Sequence, residues 1–188
     1  MNKNSIAGIA LFIGVFEFTM FMIISEALRP TYSVSTNYIS DLGVGANSYI
    51  FNYSIMGLGA LTAVTALIIL SIRKNTILPY TILLIGIGAF GVGLFNENSP
   101  YGLHTIFSLI TFLFSGISAV VAVTWTRGPY RYISLVVGLI ILLAVGLYAT
   151  NNYLGLGAGG MERMIVYPTL LWGMAFSGYL MGLDRKSP

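Results

Sequence analysis

Apolar residues run along this chain in six long, nearly unbroken stretches, at 5–28, 49–72, 77–95, 103–125, 132–150 and 161–183, separated by shorter polar intervals. A helix needs about 20 apolar residues to cross a hydrocarbon core of roughly 30 Å, and each stretch is of that order. Backbone N–H and C=O groups find no water in lipid, so every stretch is predicted to be helical. The alternation of apolar and polar positions that marks an outer-membrane barrel is absent. The expected fold is therefore all-α, a single polytopic domain of six transmembrane helices. The first stretch is too long for a secretory leader. It carries Glu17 and ends in Glu26-Ala-Leu-Arg-Pro, with no small-residue cleavage site, so it is expected to remain as the first span.

Composition removes several classes of function. Hydrophobic residues make up 56% of the 188 and charged residues 8%, with a mean hydropathy of +0.86. A soluble domain carries about 25% charged residues, so no ordinary aqueous surface can be built here. The net charge of +3 is too small and too scattered for a nucleic-acid partner. The absence of cysteine excludes disulfides, thiolate metal sites and cysteine nucleophiles. One histidine cannot make a His-rich zinc site or a bis-His haem. No HExxH, G-x-S-x-G or Walker A pattern occurs, and no cofactor or resident metal is expected. The single alternative on that point is a hard cation held by Asp41, Glu97 and Glu162.

Charge does orient the chain. Six spans put the N-terminus, the 73–76 and 126–131 connections and the C-terminus on one side, with Lys3, Arg73, Lys74, Arg127, Arg131, Arg185 and Lys186, seven of the nine basic residues. Only Arg29 and Arg163 lie on the other. The positive-inside rule then places both termini in the cytoplasm of a cell-membrane protein. The inner connections are short and basic. The outer ones, 29–48, 96–102 and 151–160, are rich in Asn, Ser, Gly and Tyr. The longest is predicted to hold a short interfacial helix over 34–42, ended by Gly43. The run from Gly155 to Gly160 reads as a flexible turn into the last span. No internal repeat of the kind that points to a transporter is evident.

Most of the unusual polar residues fall on the outer side. Asn37, Ser40 and Asp41 stand at i, i+3 and i+4, one face of a helix. That face either meets water, caps the next turn, or folds inward as the lid of a site. Ser99-Pro100 is placed to start the fourth span, with serine capping. There His104, Ser108, Thr111, Ser115 and Ser118 follow at steps of 4, 3, 4 and 3, one continuous stripe. Hydroxyls so arranged serve helix packing or line a pocket whose mouth is His104, the side chain that titrates nearest neutrality. Asp41 orienting His104 against Ser40 or Ser99 would make a general-base dyad. Glu162 complements the dipole at the start of the last span. Arg163 opposes that dipole and needs a carboxylate (Asp41 first, otherwise Glu97 or Glu162) or an external anion such as a lipid phosphate. Pro168 is expected to kink the outer part of that span. Glu17 lies near the bilayer centre, where it is either neutral and hydrogen-bonded to a neighbouring helix or lines a hydrated cavity.

Several segments together resemble a known family. They are Asn37-Tyr-Ile-Ser40-Asp41-Leu-Gly43 with Phe51-Asn52 after a small polar turn, Gly93-Leu-Phe95 with His104, and Gly159-Gly160-Met-Glu162-Arg163 with Tyr167-Pro168 and Trp172. The chain is similar, over about 6–181, to the six-helix prokaryotic membrane proteins of domain-of-unknown-function family 998. The resemblance implies the same architecture and weight on the outer residues, and it leaves activity open. Membrane hydrolases of the alkaline ceramidase type call for several metal-binding histidines, and this chain offers only His104.

Three functions stay in play. The first is an outward-facing pocket for an amphiphile such as a lipid headgroup, which it binds or, as a lipid-directed hydrolase or transferase, processes. Asp41 and His104 would be catalytic, and Asn37, Ser40, Glu162 and Arg163 would bind the ligand. The second is a non-catalytic subunit or assembly helper of a larger membrane complex, its partners being lipids and other membrane subunits. The third is a small proton-coupled transporter using Glu17. Topology is directly testable, because single cysteines can be introduced into this cysteine-free chain. Asn98→Cys is expected to react with an impermeant maleimide in intact cells and Asn75→Cys is not; the reverse pattern overturns the orientation.

Overall fold

A computed structural model describes residues 2–183, all-helical with no strand among them. Six α-helices follow the apolar stretches: α1 Lys3–Ala27, α2 Ser48–Ile72, α3 Leu78–Leu94, α4 Leu103–Val121, α5 Pro129–Ala149 and α6 Gly157–Gly182. Five are long and apolar enough to cross a membrane by themselves, and α3, with 17 residues, is shorter. At ~25 Å, α3 reaches most of the way through a core of roughly 30 Å. Arg185 and Lys186, which entered the charge argument, lie outside the described residues.

Successive helices pack on one another and α1 closes on α6, giving a six-membered ring. The ring is not regular. α4 and α6 barely touch, and α5 lies across the seam between them. Its Ile141, Ala144 and Val145 join Met161 and Ile165 of α6 in a satellite cluster apart from the main core. Trp172 of α6 ties the seam: its indole N–H donates to Ser134 Oγ at 2.7 Å, and that hydroxyl donates to the Ala119 carbonyl of α4 at 2.7 Å.

Close helix approach rests on small residues, as it must where lipid supplies no hydrophobic drive between helices. Gly59 of α2 faces Gly86 of α3, and a Cβ on Gly59 would meet the backbone of Gly86 and Phe90. The serine–threonine stripe on α4 serves the same end: Ser118 donates to Thr81 Oγ1 of α3 at 2.8 Å.

The loops depart from expectation in three places. No α-helix forms over 34–42; the chain makes turns and then a single 3₁₀ turn at Ser40–Gly43. The cause is competition, because α6 takes the backbone groups that a helix would use internally, as described below. Ser99 makes no capping bond; a 3₁₀ turn at Pro100–Gly102, with Tyr101 and Gly102 both at positive φ, leads into α4 at Leu103. The glycine run before the last span is not a flexible turn, since α6 begins at Gly157. α6 also continues as one helix through Pro168.

Gly59→Val is expected to lower the stability of the detergent-solubilised protein by about 2 kcal/mol or more, the scale of overpacking a close contact. Gly146→Ala, where nothing lies within 4 Å of an added Cβ, is expected to leave it unchanged. Equal melting temperatures for the two variants would contradict the close α2–α3 approach.

Candidate functional site

The α1–α2, α3–α4 and α5–α6 connections share one end of the bundle, here the site face. Residues 34–39 lie on the first turns of α6, and glycine makes room for them. A Cβ on Gly157 or Gly159 would collide with the backbone at Ser35 or Asn37, and Gly157 stands at φ +79, a conformation that favours glycine. The Gly159 and Gly160 N–H groups both donate to the Ser35 carbonyl, at 3.0 and 3.2 Å. Two donors that a helix start leaves unsatisfied thus find one acceptor.

Arg163 fastens this arrangement. Its side chain is 4% exposed. Nη1 donates to the carbonyls of Val34, Asn37 and Gly159 at 2.9 to 3.0 Å. Nη2 donates to Glu26 Oε1 and to the Tyr32 hydroxyl, each at 2.6 Å. The expected partner Asp41 is therefore replaced by Glu26, at the end of α1. Asp41 is occupied elsewhere, its Oδ2 accepting from Asn37 Nδ2 at 2.9 Å and from the Tyr38 N–H at 3.0 Å. It caps its own turn, and this bond keeps Asn37 and Asp41 together where no helix does. Burial pushes the Tyr32 phenol up to about 12, against the opposing pull of Arg163. The phenol keeps its proton and donates it to the Tyr38 carbonyl at 2.9 Å.

Immediately before Arg163, Glu162, 4% exposed, accepts the Ile39 N–H on Oε2 at 2.5 Å. Ile39 is thereby buried, 2% exposed, over the interior of the bundle. Ser40 donates to Glu97 Oε1 at 2.6 Å, joining the first site-face loop to the second. Partial desolvation raises the pKa of the Glu97 carboxyl, though its side chain stays exposed, and the nearby Asp41 carboxylate adds to this; the Ser40 hydrogen bond and His104 act the other way. Among the described residues no three such side chains converge to hold a metal ion.

His104 is not paired with Asp41, so the expected dyad does not form. Its Nδ1 lies 2.9 Å from the Phe95 carbonyl and its Nε2 lies 3.3 Å from Ser108 Oγ. A carbonyl can only accept, so Nδ1 carries the proton and Nε2 accepts from the Ser108 hydroxyl. Phe95 ends α3, so the imidazole satisfies a terminal carbonyl and holds α3 to α4. Neither Ser40 nor Ser99 is hydrogen-bonded to it.

Below Ile39 lies a narrow cavity of about 90 Å³. It is walled by α1, α2, α3, α4 and α6, with Ile39, Ser40 and Glu162 at its site-face end. Ser108, Thr111 and Ser115 stand on its wall. Thr111 and Ser115 return their protons to the Phe107 and Thr111 carbonyls at 2.8 and 2.7 Å. Their polarity is consumed within α4, and the depth of the cavity is otherwise apolar, with Phe18, Ile55, Ile82 and Val92 among its walls. Glu17 is not on it. That half-buried carboxylate lies against Gly57 of α2, with Oε1 shielded and unpartnered, so neither the expected hydrogen bond at that oxygen nor a place on this cavity is found.

Sequence reasoning missed Glu26 and Tyr32. A signal for Glu26 was present, since it lies near the end of the first span and Arg163 near the start of the last, at matching depths on the same face.

A family model described as a protein of unknown function (DUF998) matches residues 12–178. No curated protein and no solved structure matches the chain.

Two outcomes test the site. Removing either side chain of a buried ion pair strands the other, at about 3–5 kcal/mol. Arg163→Met and Glu26→Gln are expected to destabilise strongly and non-additively, with a larger coupling than Arg163→Met shows with Asp41→Asn, whose side chain reaches Arg163 only through Asn37; denaturation in detergent reads both. Glu97 supplies a pH test. A carboxyl with a raised native pKa contributes stability below its ordinary value of 4.5 and loses it as pH rises through the native value. Glu97→Gln is therefore expected to gain melting temperature relative to wild type as pH rises from acid to neutral, and a constant difference would refute the shift.

Proposed function

The chain belongs to the DUF998 family, and from its own site we propose that it binds an amphiphile, with the polar head at the site face and the first few carbons of a hydrocarbon chain in the bundle. The cavity carries this reading. Phe51 to Thr62 of α2 and Glu162 to Gly173 of α6 flank it, each covering ~16 Å of helix. That is about half of a roughly 30 Å core, the depth of one leaflet. Ser40 and Glu162 sit at the end that meets the lid; deeper, the hydroxyls of Thr111, Ser115 and Thr169 are turned back onto their own helices, and most of the remaining wall is apolar. A ligand made to this pattern has a short hydrogen-bonding head and a long apolar tail. The basic residues of the opposite face support placing this mouth on the outer side of a cell membrane.

The lid is fixed through Arg163, Glu162 and Glu97, so these residues position the mouth. The His104–Ser108 pair stands beside the cavity wall, with the Ser108 hydroxyl 3.3 Å from the imidazole Nε2. The reading is one of binding. Asp41 and His104 do not act as a dyad in it, because each is engaged elsewhere.

Ala89 lies on the cavity wall at 1% exposure. Ala89→Leu is expected to abolish a lipid that co-purifies with the wild-type protein at near one per chain in native mass spectrometry. Leu67→Phe, at an exposed position, is expected to retain it. Wild-type protein free of lipid, or undiminished lipid in a folded Ala89→Leu protein, would overturn the proposal.

A further inference from the structure

The opposite end of the bundle carries a second site, chemically unlike the first and independent of it. The ends of α2, α4 and α6 and the start of α5 enclose an open basin of about 600 Å³, lined by Arg73, Trp125, Arg127, Gly128, Pro129 and Tyr179 among others. The Arg73 guanidinium stacks over the Trp125 ring, 4.8 Å from its centroid, which holds the cation at the basin wall. Among the described residues no carboxylate lines the basin, and the one ion pair, Arg163–Glu26, is at the other face. Among the described residues, Arg73 and Arg127 thus bring two positive charges to one concavity with no carboxylate on its wall.

Two further donors belong to residues that line it. Trp125 is 7% exposed, and its indole N–H is buried without an acceptor. A buried donor of this kind is rare and is satisfied in most proteins; the other tryptophan, Trp172, has its acceptor in Ser134. The N-terminus of α5, a helix of 21 residues, also opens here. It has no side-chain cap and no acidic residue in its first turn, so its positive end is unneutralised. Guanidinium groups, an indole N–H and a helix N-terminus are all donors to oxyanions, and arginine suits the planar fork of a phosphate.

We propose that this basin binds a phosphate group, with Trp125 Nε1–H, Arg73 and Arg127 as its donors. At the end of a membrane bundle the phosphate belongs to an anionic phospholipid headgroup or to a soluble phosphate ester. The basic side of the chain, where the positive-inside rule places anionic leaflet lipids, is the side on which it lies.

The chain has two tryptophans, so the test uses indole ¹⁵N–¹H NMR on the full-length protein in phosphatidylcholine nanodiscs, with Trp125→Phe assigning the signals. Adding phosphatidylglycerol to the nanodiscs is expected to shift the Trp125 signal saturably and leave Trp172 in place. Inorganic phosphate at millimolar concentration producing the same shift without phosphatidylglycerol supports the site and assigns it to soluble phosphate. In the double variant Arg73→Gln/Arg127→Gln the response is expected to weaken by roughly tenfold or more, equivalent to about 1.4 kcal/mol, with the Trp172 signal reporting an intact fold. No Trp125 shift with either probe, or a response undiminished in the folded double variant, overturns the proposal.

Discussion

A guanidinium buried at a helix start is an unfavourable object: it opposes the helix dipole and has lost most of its water. Arg163 persists there because five oxygens from three stretches of chain converge on it: the carbonyls of Val34 and Asn37 and the Tyr32 hydroxyl of the loop after α1, the Gly159 carbonyl of its own helix, and the Glu26 carboxylate of α1. Each contact is short, and most come from the loop that follows α1. The loop has little regular structure of its own, so its conformation is set by what Arg163 and its neighbours accept. Removing the cation would leave a carboxylate, a phenol and several carbonyls facing a space with no donor. The order of the whole site face therefore depends on this one charge.

The mouth of the cavity inherits that order. Glu162 follows Met161 directly into Arg163, so the turn that presents the guanidinium to residues 34–37 also presents a carboxylate to the Ile39 N–H. Ile39 is then held over the interior, and Ser40 is left to reach Glu97 on the next loop. A hydrophobic plug is fixed by polar bonds on either side of it. The cavity below survives because α5 is displaced from the inner ring and the α4 hydroxyls turn back onto their own helix, so no side chain fills the space between five inner walls. An apolar void in a membrane bundle favours an apolar occupant over water, since water needs two or more polar partners to stay.

The two ends of the bundle differ in how they treat charge. At the site face, cation and carboxylates are matched inside the protein, and the hydrogen-bonding capacity of the loops is nearly spent. At the other face, two arginines, a helix N-terminus and an indole N–H share a basin with no carboxylate among the described residues. Internal matching orders the site-face loops, and the donors of the other face have no such match among the described residues. Glu17 is a third case, a carboxylate in the middle of α1 with one oxygen shielded against Gly57, and nothing in the surrounding packing explains it.

The sequence by itself determined the all-helical membrane bundle and its six elements, because span length and backbone satisfaction in lipid leave almost no alternative. It also marked Glu162, Arg163 and residues 37–43 as belonging together, since polar residues concentrated at one end of apolar helices must find partners there. What it could not determine was who pairs with whom. Asp41 and Glu26 are both carboxylates within reach of the site face; only the fold shows that Asp41 spends its oxygen on its own turn while α1 delivers Glu26 to Arg163. Local spacing suggested a helix over 34–42, and the fold overrode it because α6 offers the same backbone groups stronger, charge-assisted bonds. The dyad of Asp41 and His104 failed for a related reason: the orphan carbonyl at the end of α3 claims the imidazole first. Periodicity reports the faces of single helices, whereas partnership between helix ends is decided by which unsatisfied groups the packed bundle brings within hydrogen-bonding distance.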